Sequence, residues 1–250
     1  MNREALDTVT RLIGRARARQ RPKLPEQGPI RVNLGSSLLV APGWINIDGG
    51  LGALLAGLPR PLLRIAYRSS GMREQMSEEA FVDVLSSHRF VHHDLVYGIP
   101  FPDASVEAIF SSQFFEHLTH GHAERLAAEA LRVLEPGGVI RISVPDFVWL
   151  VEEFQRGAKR AVIDGIFGAD GSGDYARHRY MYDEELLGDL LATAGFTDIT
   201  RCRFREGRVP DLDVLDNREG SLVMEAARPR SNALRSPQQP GQPPVSSPGS

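Results

Sequence analysis

An α/β fold on a doubly wound, mostly parallel sheet is predicted by three features of the sequence. Strand-like apolar runs alternate with helical patterns across residues 30–228. The central runs are apolar, as strands buried on both faces must be. The stretch RVNLGSSLLVAPGWINID (31–48) reads strand, glycine turn, strand, acid, which is how nucleotide-binding α/β domains open.

The first strand is expected at 30–34 and the second at 44–47, so any helix in the crossover between them has a turn or two at most. An insertion at 49–89 suits two helices, with Leu54, Leu55, Leu58, Leu62, Leu63 and Ile65 forming an apolar face that suits core, a dimer surface or an acceptor pocket, core being the commonest outcome. Its scattered arginines, Arg60, Arg64, Arg68 and Arg73, suit a solvated surface better than an anion site. A third strand, FVHHD, ends at Asp94, and VEAIFSS (106–112) is the fourth. The helical run HAERLAAEALRVL is stopped by EPGG, whose Gly137 and Gly138 are structural, before the strand VIRISV (139–144). Asp146 is placed to cap the helix FVWLVEEF. DEELLGDLLATAGF has acids in its first turn and Gly195 past its end, the polarity helices favour. DITRCRF and SLVMEA supply strands six and seven.

The flanks differ in composition. Residues 1–29 form a basic helix and linker in which Leu6, Val9, Leu12, Ile13 and Ala16 share a face and Arg15, Arg17, Arg19 and Arg21 crowd the end. Packing of that face on the domain is expected, with contact to a membrane surface as the alternative. Residues 229–250 are Pro, Ser, Gln and Gly-rich and are expected to be disordered. The net charge of -3 gives no drive toward nucleic acid, and the single cysteine excludes an internal disulfide or a thiolate-rich metal site. With no signal pattern and no membrane-length apolar run, a cytoplasmic location is the expectation.

Four stretches in order, VNLGSS…PGWINID, HDLVYGIPFPDASVEAIFSSQFFEHL, EALRVLEPGGVIRISVPD and RHRYMYDEELLGDLLATAGF, resemble class I S-adenosylmethionine-dependent methyltransferases, in the small bacterial branch close to the type 11 methyltransferase domain. LRVLEPGG before a strand is the most specific piece, and the joint occurrence is stronger than any part. The resemblance implies a Rossmann-like, seven-stranded sheet in order 3-2-1-4-5-7-6 with the last strand antiparallel. It implies S-adenosylmethionine as cofactor, held by Asn33, Gly35, Ser36, Ser37, Asp48, Asp94, Leu95, Ser111 and Ser112. Gly35 would let backbone pass close to the cofactor. Asp48 would accept from the ribose hydroxyls, and Asp94, with the Leu95 amide, would meet the adenine. Ser111, Ser112 and Gln113 leave strand four where the methyl group should sit. Ser37 departs from the pattern, because a second glycine is common there and serine restricts φ.

Methyl transfer depends chiefly on positioning, and a base is needed only for an acceptor of high pKa. The candidates are Glu116, His117 and His178, with His117 and His178 expected as catalytic residues. Tyr180 and Tyr182 could line an acceptor pocket or pack as a lid. No metal is expected, because His92, His93, His120 and His122 have no carboxylate partner at a matching helical spacing. The expected acceptor is a small or saccharide-like molecule. The chain lacks the fuller glycine turn of a dinucleotide oxidoreductase, a phosphate-binding G-x-x-x-x-G-K-S/T loop, and the NPPY-like stretch expected for a base-modifying enzyme. A non-catalytic scaffold of the same fold is the alternative that Ser37 keeps open. Oligomeric state is not encoded in any pattern.

Overall fold

The structure, a computed structural model, describes residues 3–167 and 177–230. The segment expected to be disordered falls almost wholly in 231–250, outside the described residues. The helix α1 (Arg3–Arg17) leads into β1 (Arg31–Leu34) and β2 (Trp44–Asp48). The insertion forms α2 (Leu51–Leu55), α3 (Arg60–Ser69) and α4 (Glu78–Ser87). Then come β3 (Arg89–His92), β4 (Val106–Ser112), α5 (His120–Val133), β5 (Leu134–Pro145), α6 (Phe147–Gln155) and α7 (Lys159–Phe167). The chain closes with α8 (Glu184–Ala194), β6 (Thr197–Arg201), α9 (Leu212–Leu215) and β7 (Ser221–Ala227).

The strands lie in one seven-stranded sheet in the order β3-β2-β1-β4-β5-β7-β6. Pairing is parallel from β3 through β5, and β7 runs antiparallel to both its neighbours. Alternation of side chains sends Ile45 and Ile47 of β2 to one face, where α5 and α8 cover them, and Trp44 to the other, with Phe110 and Leu215. Strand order reverses between β1 and β4, and parallel sheets open a crevice for ligands at the carboxyl ends beside such a point.

Helix ends follow their side chains. Asp183 accepts from the Leu186 amide at the start of α8, and Gly195 ends it at φ +101°. Asp146 accepts from the Val148 amide as the cap of α6, as its position predicts.

Several boundaries differ from expectation. The β1–β2 crossover holds no helix, and the Asn33 amide group ties it down by donating to the Leu39 carbonyl at 2.7 Å. The insertion makes three α-helices rather than two, because Gly57 at φ +82° breaks α2 from α3 and Ser77 caps a fresh start for α4. β5 begins at Leu134, so EPGG lies within the strand. A Cβ on Gly138 would sit 2.9 Å from the Glu107 carbonyl. α1 buries Thr10 and Gly14, while Val9 and Leu12 of the expected docking face are 42% and 61% exposed. Among the described residues no helix is long and apolar enough to cross a membrane.

Candidate functional site

A cavity of about 660 Å³ opens at the carboxyl ends of β1, β2 and β4, within the size range of small-molecule and cofactor sites. One wall is Gly35, Ser37, Asp48, Gly49, Asp94 and Leu95. The other is Gln113, Phe114, Glu116, His117, His178 and Arg218.

The first wall grows from the loop after β1 and the end of β2. Asp48 accepts the Ser37 amide at 2.8 Å on one oxygen and the Gly50 amide at 2.6 Å on the other. Burial pushes this carboxyl above its ordinary range, opposed by those two amide bonds. A carboxylate offers about four acceptor positions, so capacity remains toward the cavity. Ser37 itself adopts φ +46°, the left-handed region that glycine occupies without cost. Gly35 is also left-handed, and its missing Cβ makes room for the Phe114 ring, whose Cγ would lie 2.2 Å from such an atom. Asp94 caps the helical turn Leu95–Tyr97 through the Val96 amide and also lines the cavity. α1 closes this end. Thr10 lines the cavity, and a Cβ on Gly14 would lie 3.1 Å from that of Asp94.

The second wall is made where two distant segments meet. β4 ends in a helical turn, Phe115–His117, and the Glu116 carbonyl there accepts the Arg179 and Tyr180 amides at 2.7 and 3.2 Å. That staple brings His178 against His117, with ring centroids 4.9 Å apart and edge to face. Nδ1 of His117 donates to the Arg177 carbonyl at 3.2 Å, because a carbonyl only accepts, and this leaves Nε2 as the free lone pair. His117 Nε2 lies 3.9 Å from a Glu116 oxygen. Glu116 is 1% exposed, and neither of its oxygens has a hydrogen-bond partner. Burial pushes its carboxyl up to about 8. Burial, with His117 and Arg218 beside it, drives His178 down to about 4, and burial lowers His117 as well. Burial thus favours the uncharged forms of Glu116, His117 and His178 near pH 7, beside the cationic Arg218. Nδ1 of His178 is likewise buried without a partner.

The cavity thus gathers Gly35, Ser37, Asp48, Asp94, Leu95, His117 and His178 of the expected residues. It does not gather Asn33, Ser36, Ser111 or Ser112. Asn33 points across the sheet to Asn46 and Leu39, and the Ser111 hydroxyl donates to the Leu34 carbonyl at 3.1 Å. Ser36 is buried behind the loop, and Ser112 lies outside the lining. Gln113, not the serines, turns from β4 into the cavity. Tyr180 and Tyr182 do not line it; Tyr182 is a fully buried core residue, and Tyr180 stacks on His120. His92 and His93 bond to the Gly49 and Gly98 carbonyls. Arg60, Arg64 and Arg68 form exposed pairs with Asp83 and Glu78. Arg218 and Thr10 had no sequence signal, because each reaches the cavity from an element remote in sequence.

A crevice at a sheet's switch point, with an acid closing β2, defines a nucleotide-cofactor fold. Residues 61–142 match the family described as a methyltransferase domain. A curated Mycobacterium tuberculosis protein named "Probable S-adenosylmethionine-dependent methyltransferase" is 26% identical over 178 residues, 71% of this chain and 55% of its own length. A Mycolicibacterium smegmatis protein of the same description is 27% identical over 186 residues, 74% of this chain and 62% of its own. The chain thus spans little more than half the length of these relatives. Solved structures it resembles include an S-adenosylmethionine-dependent methyltransferase from Methanosarcina mazei (TM-score 0.47, 14% identity, 83% of this chain and 95% of that one). Another, from Archaeoglobus fulgidus, has TM-score 0.45 and 14% identity over 88% of this chain and 93% of its own. Residues 61–142 thus resemble a methyltransferase domain, and the curated relatives that the chain is similar to are named as S-adenosylmethionine-dependent.

Proposed function

We propose that this protein transfers a methyl group from S-adenosylmethionine to a small, hydroxylated or saccharide-like acceptor. The observation that carries the reading is one cavity with two unlike walls: Asp48 and Asp94 on the side of β2 and β3, and Glu116, His117 and His178 beyond β4.

The residues present fit the cofactor. Gly35, Gly49 and Gly50 line the cavity beside Asp48, and a Cβ on Gly50 would meet an Asp48 oxygen at 2.7 Å. Asp48 is held by two amides in a fixed orientation and would accept from the ribose hydroxyls; Asp94 would face the adenine. When bound, the cofactor supplies a methyl group on a sulfonium, already a good leaving group, so in-line displacement asks mainly for orientation. Gln113 and Arg218, linked at 3.4 Å, give the far wall donors for acceptor oxygens. The free Nε2 of His117, oriented by the Arg177 carbonyl, is placed to take the acceptor's proton, with His178 edge-on beside it.

The test is label transfer. The full chain is incubated with methyl-labelled cofactor and a panel of free and lipid-linked saccharides and small phenols, and label on an acceptor is the expected result. Tight binding of S-adenosylhomocysteine with no labelled acceptor across the panel would instead favour the scaffold reading.

A further inference from the structure

Glu116, His117 and His178 make a cluster that general-base chemistry does not need. Their ligating atoms all lie within 4.8 Å of one another, and the three line the cavity together. Both Glu116 oxygens and His178 Nδ1 are buried with no hydrogen-bond partner. Buried polar atoms are nearly always partnered, and a carboxylate left bare in a protein interior costs several kcal/mol. These bare atoms belong to residues that meet at the wall of one cavity, and together they mark a place for a ligand that accepts lone pairs. We propose that this wall is a divalent-metal site, with two imidazoles and one carboxylate as protein ligands and open positions facing the acceptor.

The donor set decides the class of ion. Two imidazole nitrogens with one carboxylate suit a first-row transition ion such as Mn²⁺, Fe²⁺, Co²⁺ or Zn²⁺ better than Ca²⁺ or Mg²⁺, which take mostly oxygen. Three protein ligands with the rest of the shell open is the arrangement of a working metal rather than a structural one. One outer contact is in place, because Nδ1–H of His117 is fixed on the Arg177 carbonyl and leaves Nε2 to ligate. Bond lengths of about 2.0–2.2 Å put ligand atoms ~3–3.4 Å apart. The tripod must therefore tighten from 4.8 Å when the ion binds.

This site rests on the methyltransferase reading and deepens it. An ion at this wall would bind one or two hydroxyl oxygens of the acceptor and lower their pKa. His117 would then act as a ligand instead of a base, and the acceptor's proton would pass to solvent water. The acceptor class becomes a molecule with a chelating oxygen pair, such as vicinal hydroxyls.

The experiment uses the full chain, stripped with a chelator and titrated with Co²⁺ while its visible absorption is followed, with Mn²⁺ and Zn²⁺ titrated by calorimetry. Binding of S-adenosylhomocysteine is measured on the same samples. One ion per chain is expected, with affinity falling by about a hundredfold or more in His178→Ala and Glu116→Gln. Both variants should keep S-adenosylhomocysteine binding, which shows that they fold. Asp48→Ala should do the reverse, keeping the ion and losing the nucleoside. Absence of metal binding in a chain that binds S-adenosylhomocysteine would overturn the metal site and leave the methyltransferase reading standing. Metal binding that His178→Ala and Glu116→Gln leave unchanged would place the ion elsewhere and overturn it too. Loss of S-adenosylhomocysteine binding in the unaltered chain would sink the cofactor reading itself.

Discussion

Among the described residues, the buried polar clusters around Arg141 and around Glu116 stand at opposite extremes of satisfaction. Around Arg141, every donor is used. The fully buried guanidinium gives Nε and Nη2 to Asp216, Nη1 to Glu225, and further bonds to the Glu206 and Arg203 carbonyls. The carboxylates are completed by the Arg205, Arg208 and Val209 amides. Around Glu116, nothing is completed: two carboxylate oxygens and a histidine nitrogen are buried bare beside a cavity. The difference separates structure from function. A network that closes on itself pins the chain between β5 and β7 and has no atom left for a ligand. A network that stays open costs stability, which proteins accept at sites where a ligand completes it.

The contrast predicts opposite outcomes for the same kind of change. Arg141→Met strands Asp216 and Glu225 without their counter-ion and should lower stability by about 3–5 kcal/mol, read from urea unfolding. Next comes Gly207→Ala, whose Cβ would lie 2.1 Å from a Glu225 oxygen and 2.6 Å from Arg141 Nη1. A loss of about 1–3 kcal/mol is expected, and an unchanged unfolding midpoint would mean the network is looser than its geometry shows. Glu116→Met should raise stability by about 1 kcal/mol, since it removes a buried carboxyl that bonds to nothing. The same variant removes a ligand of the proposed metal site and should cut methyl transfer by ~100-fold or more. If Glu116→Met destabilised the protein as Arg141→Met does, the two clusters would not differ in kind. The smallest effect is at Ser37→Gly, where relief of a left-handed φ of +46° should add about 1 kcal/mol. Cofactor affinity should be held or improved, checked by the thermal midpoint with and without S-adenosylhomocysteine.

The sheet was legible in the sequence where periodicity is local. Strand 106–112 and the helix ending at Gly195 came out at their observed positions, because apolar pattern and caps sit within one element. Strand order rested on family likeness, since no local pattern encodes which strands pair. The insertion was under-divided because the break at Gly57 depends on backbone conformation rather than on hydrophobic spacing. Asp48 was readable as the acid closing a strand, and so was Glu116–His117 after β4. Their union with His178 was not, because the link is a pair of backbone hydrogen bonds from Arg179 and Tyr180 across more than sixty positions of chain. A metal-ligand search by helical spacing cannot see such a set. Asn33 and Ser111 misled for the complementary reason: polar residues at strand ends suggest a ligand, and these two satisfy the sheet and its loops instead.

The central claim is that Asp48 and its turn still hold a nucleoside cofactor despite the serine at position 37. Calorimetric titration of S-adenosylhomocysteine into the full chain, its Asp48→Ala variant and its Glu116→Met variant tests it most directly. One site is expected in the unaltered chain and in Glu116→Met, with Asp48→Ala weaker by at least about tenfold, or ~1.4 kcal/mol. Equal affinity in Asp48→Ala, or no binding to the unaltered chain, would contradict the account.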